Sequence, residues 1–284
     1  MTGENNDHIN IGELPDLRVI PVERILFHEE HDAERTCHLE AKLRKQRVLK
    51  NPPVVALDPT SGDYILLDGA NRTTALRMMG VPDILVQVTD LNDPGLKIRS
   101  WHHAIEHIGK KNLINAIEKI PGITLVMADS SNPLYEEHEG ILCRVRFNDN
   151  SILIVSAVSG LRERVAALRT LTAAYRGDRY MDRVSYTNPD HLRKNYRAFS
   201  GLVMFRPPAK EDLPGIVSGG LRIPSGITRI ILPKRALRFN IPLEVLQCDI
   251  PTNEKNCWVR ERIRALIKQK SIRFYFEPVF LFDE

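Results

Sequence analysis

Apolar positions in this chain fall into short blocks whose spacing alternates between strand and helix periods. Leu17–Leu26 reads as an extended segment interrupted by Pro21, and a polar turn follows at 29–32. Ala33–Arg47 is rich in Leu, Ala, Glu, Lys and Arg and is expected to be helical, with Pro52-Pro53 closing the unit. Val54–Leu57 and Tyr64–Leu67 are short apolar runs on either side of a Pro-Thr-Ser-Gly turn cluster, which predicts a hairpin. Asp68-Gly69 ends the second run, a helix is expected from Ala70 to Met79 with Gly80 stopping it, and Ile84–Val88 reads as a strand.

The pattern changes after Asp90. Past residues 97–105 comes a short helix near Asn112–Ile120, then strands at Ile123–Met127, Ile141–Phe147 and Ile152–Val158. Leu161, Val165, Leu168 and Leu171 recur at helical spacing and predict a helix over Leu161–Tyr175. Strands are expected at Met181–Tyr186, Gly201–Phe205 and Thr228–Leu232, then a helix over Glu254–Lys270 and a last strand at Phe274–Phe282. The chain therefore reads as α+β: a tail at 1–14, one domain at 15–108, and a mixed α/β domain at 109–284.

Composition narrows the class of function. The 284 residues carry 40 Lys plus Arg against 36 Asp plus Glu, a net charge of +4 that does not by itself mark a nucleic-acid binder. No apolar run reaches the length of a membrane span, and the polar start MTGENNDHINIG lacks a signal core, so a cytoplasmic protein is expected. Cys37, Cys143, Cys248 and Cys257 form no Cys-x-x-Cys pair and no zinc spacing with His. Basic residues outnumber acidic ones between Lys234 and Arg273. However, Val259, Ile263, Leu266 and Ile267 share one helical face, which leaves the charges on a solvated face.

The stretch Tyr64–Gly80 carries the chemistry. A buried strand would deliver Asp68 to a strand end, Gly69 would allow a tight turn, and the amides of Ala70, Asn71 and Arg72 would open a helix. Unpaired N–H groups, the positive end of the helix dipole and the Arg72 guanidinium together suit a phosphate. Asp68 beside it could hold a magnesium ion or orient an attacking hydroxyl. The plainer alternative is a strand-turn-helix in which Asp68 caps the helix and Arg72 is solvated.

The order of segments over residues 17–90 resembles the ParB/sulfiredoxin superfamily: Val-Ile-Pro-Val-x-x-Ile-Leu, an acidic turn, a helix, a Pro-Val-Val strand and Leu-Leu-Asp-Gly-x-x-Arg. Sulfiredoxins place a catalytic Cys where this chain has Ala70. Partition proteins carry a paired Arg and continue into a helix-turn-helix, whereas here Asn71 precedes a single Arg72 and strands follow. Free L-serine kinases, including the siderophore-biosynthesis type, are similar to this chain in Phe27-His28-Glu29, the Asp68-Gly69 box and Ser100-Trp101-His102-His103. The similarity extends to the C-terminal part through Pro224–Arg229 and Asn240-Ile-Pro-Leu.

That resemblance implies a nucleotide-binding first domain and phosphoryl transfer from ATP or ADP to the serine hydroxyl, with Mg2+. It assigns Glu29 as catalytic base and Asp68 as metal ligand or hydroxyl positioner, with Glu30 as the alternative base in the same acidic loop. Arg35, Gly69, Ala70, Asn71, Arg72 and Thr73 would hold the nucleotide, and Trp101, His103, Thr228 and Arg229 the serine. Asn71 departs from the His common in the group, and Gly226 from the Lys some members carry. A nucleotide-gated DNA-binding regulator and a non-catalytic relative are the competing readings, and a homodimer stays open.

Overall fold

The computed structural model describes residues 14–128, 140–157, 160–176 and 181–275. Strand β1 (Asp16–Pro21) leads through a 3-10 turn at Val22–Arg24 into β2 (Ile25–Phe27), so Pro21 breaks one extended run into two strands. Helix α1 (Ala33–Gln46) starts where the Asp32 carboxylate accepts from the Arg35 amide at 3.1 Å, and it ends at Arg47 in the left-handed region. After β3 (Val48–Leu49), the expected hairpin forms from β4 (Val54–Leu57) and β5 (Tyr64–Asp68). Helix α2 (Ala70–Met78) and β6 (Asp83–Thr89) complete a five-stranded sheet ordered β1-β6-β4-β5-β2.

β4 and β5 are buried on both faces, and the period of two sorts their side chains between two cores. Val54, Ala56, Ile65 and Leu67 join the core shared with the C-terminal half, while Val55, Tyr64 and Leu66 join the core beneath the helices. The strand that ends at Asp68 is thus clamped from both sides.

The remaining chain adds β7 (Lys97–Ser100), β8 (His102–Glu106), α3 (Lys110–Glu118), β9 (Ile123–Ala128), β10 (Ile141–Phe147) and β11 (Ile152–Ala157). Then come α4 (Leu161–Ala173), β12 (Met181–Val184), α5 (Pro189–Asn195), β13 (Phe199–Phe205), α6 (Asp212–Ser218) and β14 (Thr228–Ile231). A second sheet is antiparallel throughout, ordered β12-β8-β13-β10-β11-β9, and β14 pairs with β7 beside it. β15 (Ile241–Pro242), α7 (Leu243–Gln247) and α8 (Thr252–Lys268) are the last elements among the described residues.

The sheets divide the chain elsewhere than at 108/109. β7 and β8 pair with C-terminal strands, while residues 239–268 return to the first domain, where Phe239, Ile241, Leu246 and Val259 enter its core. The Asn256 side chain takes the place of a strand on β1, accepting from the Val19 amide at 2.8 Å and donating to the Val19 carbonyl at 2.9 Å. On α8 the apolar face is seated as the spacing predicts: Val259 is buried, and Ile263 and Leu266 pack on the same core. Residues 271–275 form no strand, and the rest of the strand expected at Phe274–Phe282, like the tail at 1–13, lies outside the described residues.

Candidate active site

A cavity of about 710 Å³ opens between α1, the β5–α2 turn and the loop before β14. Its floor is set by the chain around Glu29. The His28 carbonyl accepts from the Ile223 amide and the Glu30 amide donates to the Ile223 carbonyl, both at 2.8 Å, so the acidic loop runs beside residue 223 like a strand. From the other side, the Asn71 side-chain oxygen accepts from the Asp32 amide at 2.8 Å and the Thr36 hydroxyl at 3.3 Å. The loop is therefore stapled to the start of α2, 39 positions away. Asn71 spends its acceptor on this staple.

Glu29 points into the loop before β14. Its Oε1 accepts from the Gly226 amide at 2.5 Å and its Oε2 from the Thr228 amide at 2.9 Å. Burial pushes the Glu29 carboxyl up to about 7. The Thr228 hydroxyl, the two amides and the Arg183 charge offset only part of that rise. A carboxylate poised there takes up and releases a proton near neutral pH. Glu30, the alternative base, is ion-paired with Arg169 at 3.0 Å. His28 is buried with Nδ1 2.5 Å from the Leu66 carbonyl, which makes it the donor there, and burial lowers its pKa to about 4.

Across the cavity, Gly69 takes φ +102° and no side chain caps α2. The first backbone bond of the helix runs from Thr73 to Gly69, so the amides of Ala70, Asn71 and Arg72 stand ahead of the helix's own hydrogen-bond ladder. Asp68 accepts from Arg72 at 2.9 Å and from Arg235. Burial would raise the Asp68 pKa, but the two guanidinium groups outweigh it and hold the carboxyl below its usual range. Arg35 lines the same cavity from α1, opposite the turn.

The serine-site expectations divide. Trp101 and Thr228 line the cavity. Arg229 does not; its guanidinium covers the Trp101 ring at 4.7 Å. His103 is buried behind the wall, with Nδ1 2.8 Å from the Tyr175 hydroxyl and Nε2 3.0 Å from the Gly226 carbonyl. Burial lowers its pKa to about 3, so a neutral ring donates to Gly226 and accepts from Tyr175. His103 thus braces the residue whose amide holds Glu29. Thr73 is also out of reach of the cavity: it is fully buried and its hydroxyl donates to the Gly69 carbonyl at 3.1 Å.

Among the described residues, no three His, Cys, Asp or Glu gather as a metal site. Both guanidinium groups on Asp68 meet its Oδ2, so Oδ1 is the atom that could take a magnesium ion, which draws most of its ligands from phosphates and water. Arg183 and Arg235, which the sequence reading missed, both face this chemistry. Nothing local distinguishes them from the other basic residues.

No protein-family model matches the chain. Full-length similarity is nevertheless present: the ATP-dependent L-serine kinase SbnI of Staphylococcus aureus is 21% identical over 280 residues, covering 94% of this chain and 97% of the relative. An ATP-dependent L-serine kinase of Staphylothermus marinus is 24% identical over 232 residues, covering 81% and 90%. Among solved structures, a free serine kinase in complex with AMP superposes with TM-score 0.67 at 16% identity, covering 82% of this chain and 95% of that one. C-terminally truncated SbnI superposes with TM-score 0.69 at 18% identity, covering 88% and 97%. The chain has the free serine kinase fold. Within that fold the cavity lies where the two halves meet, walled by the acidic loop, the β5–α2 turn and the loop before β14. Among the described residues, no helix is long and apolar enough to cross a membrane.

Proposed function

We propose that this chain transfers the γ-phosphoryl group of ATP to the hydroxyl of free L-serine, giving ADP and O-phospho-L-serine. The observation that carries this reading is the pairing of a half-buried carboxylate held near neutrality, Glu29, with an uncapped, arginine-flanked helix start in one cavity. The curated relatives that match nearly the whole chain are named for this reaction with ATP as donor, which favours ATP over ADP. The reaction suits the cytoplasm, and its product would feed biosynthesis of the siderophore or cysteine type.

The nucleotide would lie along α1, with its base against Leu39, Leu43 and Leu49 and its phosphates at the α2 turn. The amides of Ala70, Asn71 and Arg72 meet phosphate oxygens, and Arg72 and Arg35 balance their charge. Mg2+ would be held by Asp68 together with phosphate oxygens, and it would supply charge neutralisation on the transferring group. Serine enters on the Thr228 and Trp101 side. Glu29 accepts the hydroxyl proton as the serine oxygen bonds to the γ-phosphorus, and the bond from that phosphorus to the ADP oxygen breaks.

Incubating the protein with L-serine, Mg2+ and either ATP or ADP, followed by mass detection of phosphoserine, tests the reading. Product with ATP supports it, and none with either donor overturns it. The turn makes its own prediction. A Cβ on Gly69 would lie 2.8 Å from the Pro53 Cβ at a φ that L-residues avoid. Gly69→Ala is expected to weaken ADP binding about tenfold in calorimetry, because a strain of roughly 1–3 kcal/mol displaces the turn amides. An unchanged affinity would remove the turn from the phosphate site.

A further inference from the structure

Arg183 sits on β12 directly opposite His103 of β8. Both side chains converge on Gly226, His103 through its carbonyl and Arg183 from above. Gly226 has φ +81°, and a Cβ built there would land on the Arg183 guanidinium. The guanidinium thus fills the space that a side chain at 226 would occupy, and it lines the cavity. Its charge bears on Glu29 and Asp32, and the Arg35 and Arg176 cations lie near enough to repel it. Asp32 Oδ2 is 3.7 Å away, a loose pair, while Asp32 Oδ1 accepts from the Arg35 amide. Arg176 is turned the other way, onto the hydroxyl and carbonyl of Ser225.

A zwitterionic amino acid entering this cavity brings a carboxylate that must be met by a cation or by N–H donors. Only two carbons separate the serine hydroxyl from its carboxyl carbon. With the hydroxyl at Glu29, the carboxylate can therefore reach only groups beside Glu29. Arg72 and Arg235 are committed to Asp68 at the phosphate turn. Arg183 is the cation that touches the residue whose amide holds Glu29. Resting on the kinase reading above, we propose that Arg183 binds the carboxylate of the substrate and sets the preference for a free amino acid over an amino alcohol.

Ethanolamine, which keeps the hydroxyl and ammonium of serine but lacks the carboxylate, provides the probe. The wild-type protein is expected to favour L-serine over ethanolamine by roughly a hundredfold in kcat/KM, as a charge-assisted bidentate pair would give. In Arg183→Gln, assayed well above pH 7 so that loss of the Arg183 charge beside Glu29 does not limit the base, the serine-to-ethanolamine ratio of kcat/KM falls by about that factor through the KM for serine, while the KM for ATP stays within about twofold. Arg183→Lys, which keeps the charge but not the fork, gives an intermediate preference and carries the test if the Gln variant fails to fold. A preference unchanged in these variants, or a wild type indifferent to the carboxylate, overturns the assignment. So does a rise in the KM for ATP in place of that for serine, which would put Arg183 on the phosphates. A wild-type protein that makes no phosphoserine defeats the kinase reading itself, before any variant is compared.

Discussion

Glu29→Gln is expected to lower kcat by about 10²–10⁴-fold with the fold retained, the range removed with a general base. The glutamine keeps the length and one acceptor oxygen, but it cannot take the serine proton. It also turns an N–H₂ toward one of the two amides at Gly226 and Thr228, so Glu29→Ala serves as the companion variant and should lose activity similarly. Circular dichroism and thermal melting check the fold, and phosphoserine formation reads the rate. Full activity in either variant would move the base elsewhere, and Glu30 would then have to leave its pair with Arg169.

The same residue sets a pH dependence. Because burial raises the Glu29 pKa to about 7, the free protein holds this carboxyl protonated, and unable to act as a base, at lower pH. The kcat/KM for serine should therefore climb tenfold per pH unit up to about 7 and level off above it. The stability linkage has the opposite direction. A carboxyl with a raised native pKa contributes stability that is fully present below its unfolded value and lost as pH rises through about 7. Glu29→Gln should abolish this component of the pH dependence of melting.

Lys255→Ala is expected to produce the largest loss of stability, with little effect on kcat at room temperature. Lys255 lies 1% exposed on α8, where its Nζ is 2.5 Å from Asp83 of β6 and 2.9 Å from the Leu246 carbonyl at the end of α7. Removing one member of a buried pair leaves the other charge without its counterion, at a cost of about 3–5 kcal/mol. The melting temperature should fall by roughly 10 °C. Lys255→Met combined with Asp83→Leu should recover most of that loss, because an apolar pair of similar volume needs no counter-charge. A single variant that melts within about 2 °C of wild type would show that α8 is held by Val259, Asn256 and their neighbours without the ion pair.

Where the sequence was informative, local chemistry decided the structure. α1, α2, α4 and α8 and the strands at 54–57, 64–68, 141–147 and 152–157 form near their expected positions, because apolar period and turn residues act over a few neighbours. β7 and β8 escaped, since Arg99, Trp101, His102 and His103 interrupt any apolar alternation, and their pairing with β14 and β13 is long-range. α5, α6 and α7 are only 5–7 residues long and give too little period to register.

In the site, the Asp68-Gly69 turn is visible because a strand end and a glycine leave a local mark, whereas Glu29 is singled out from its acidic loop only by the resemblance to the free serine kinases. The resemblance implies Thr73 and Arg229 as site residues, whereas in the structure Thr73 is buried with its hydroxyl on the Gly69 carbonyl and Arg229 lies over the Trp101 ring. His103, which the resemblance implies at the substrate, is buried behind the cavity wall on Tyr175 and Gly226.

By itself the sequence determined the α+β class, the anion-receptive turn at 68–72 and the presence of a carboxylate loop at 29–32, all of which follow from interactions within a few residues. Only the tertiary structure decided that Glu29 rests on the amides of 226 and 228, that Asn71 pins its loop, that Arg183 lines the cavity and that Arg235 pairs with Asp68. Those contacts join residues as many as 199 positions apart. They are fixed by how two cores pack against the opposite faces of β4 and β5, which no local pattern encodes.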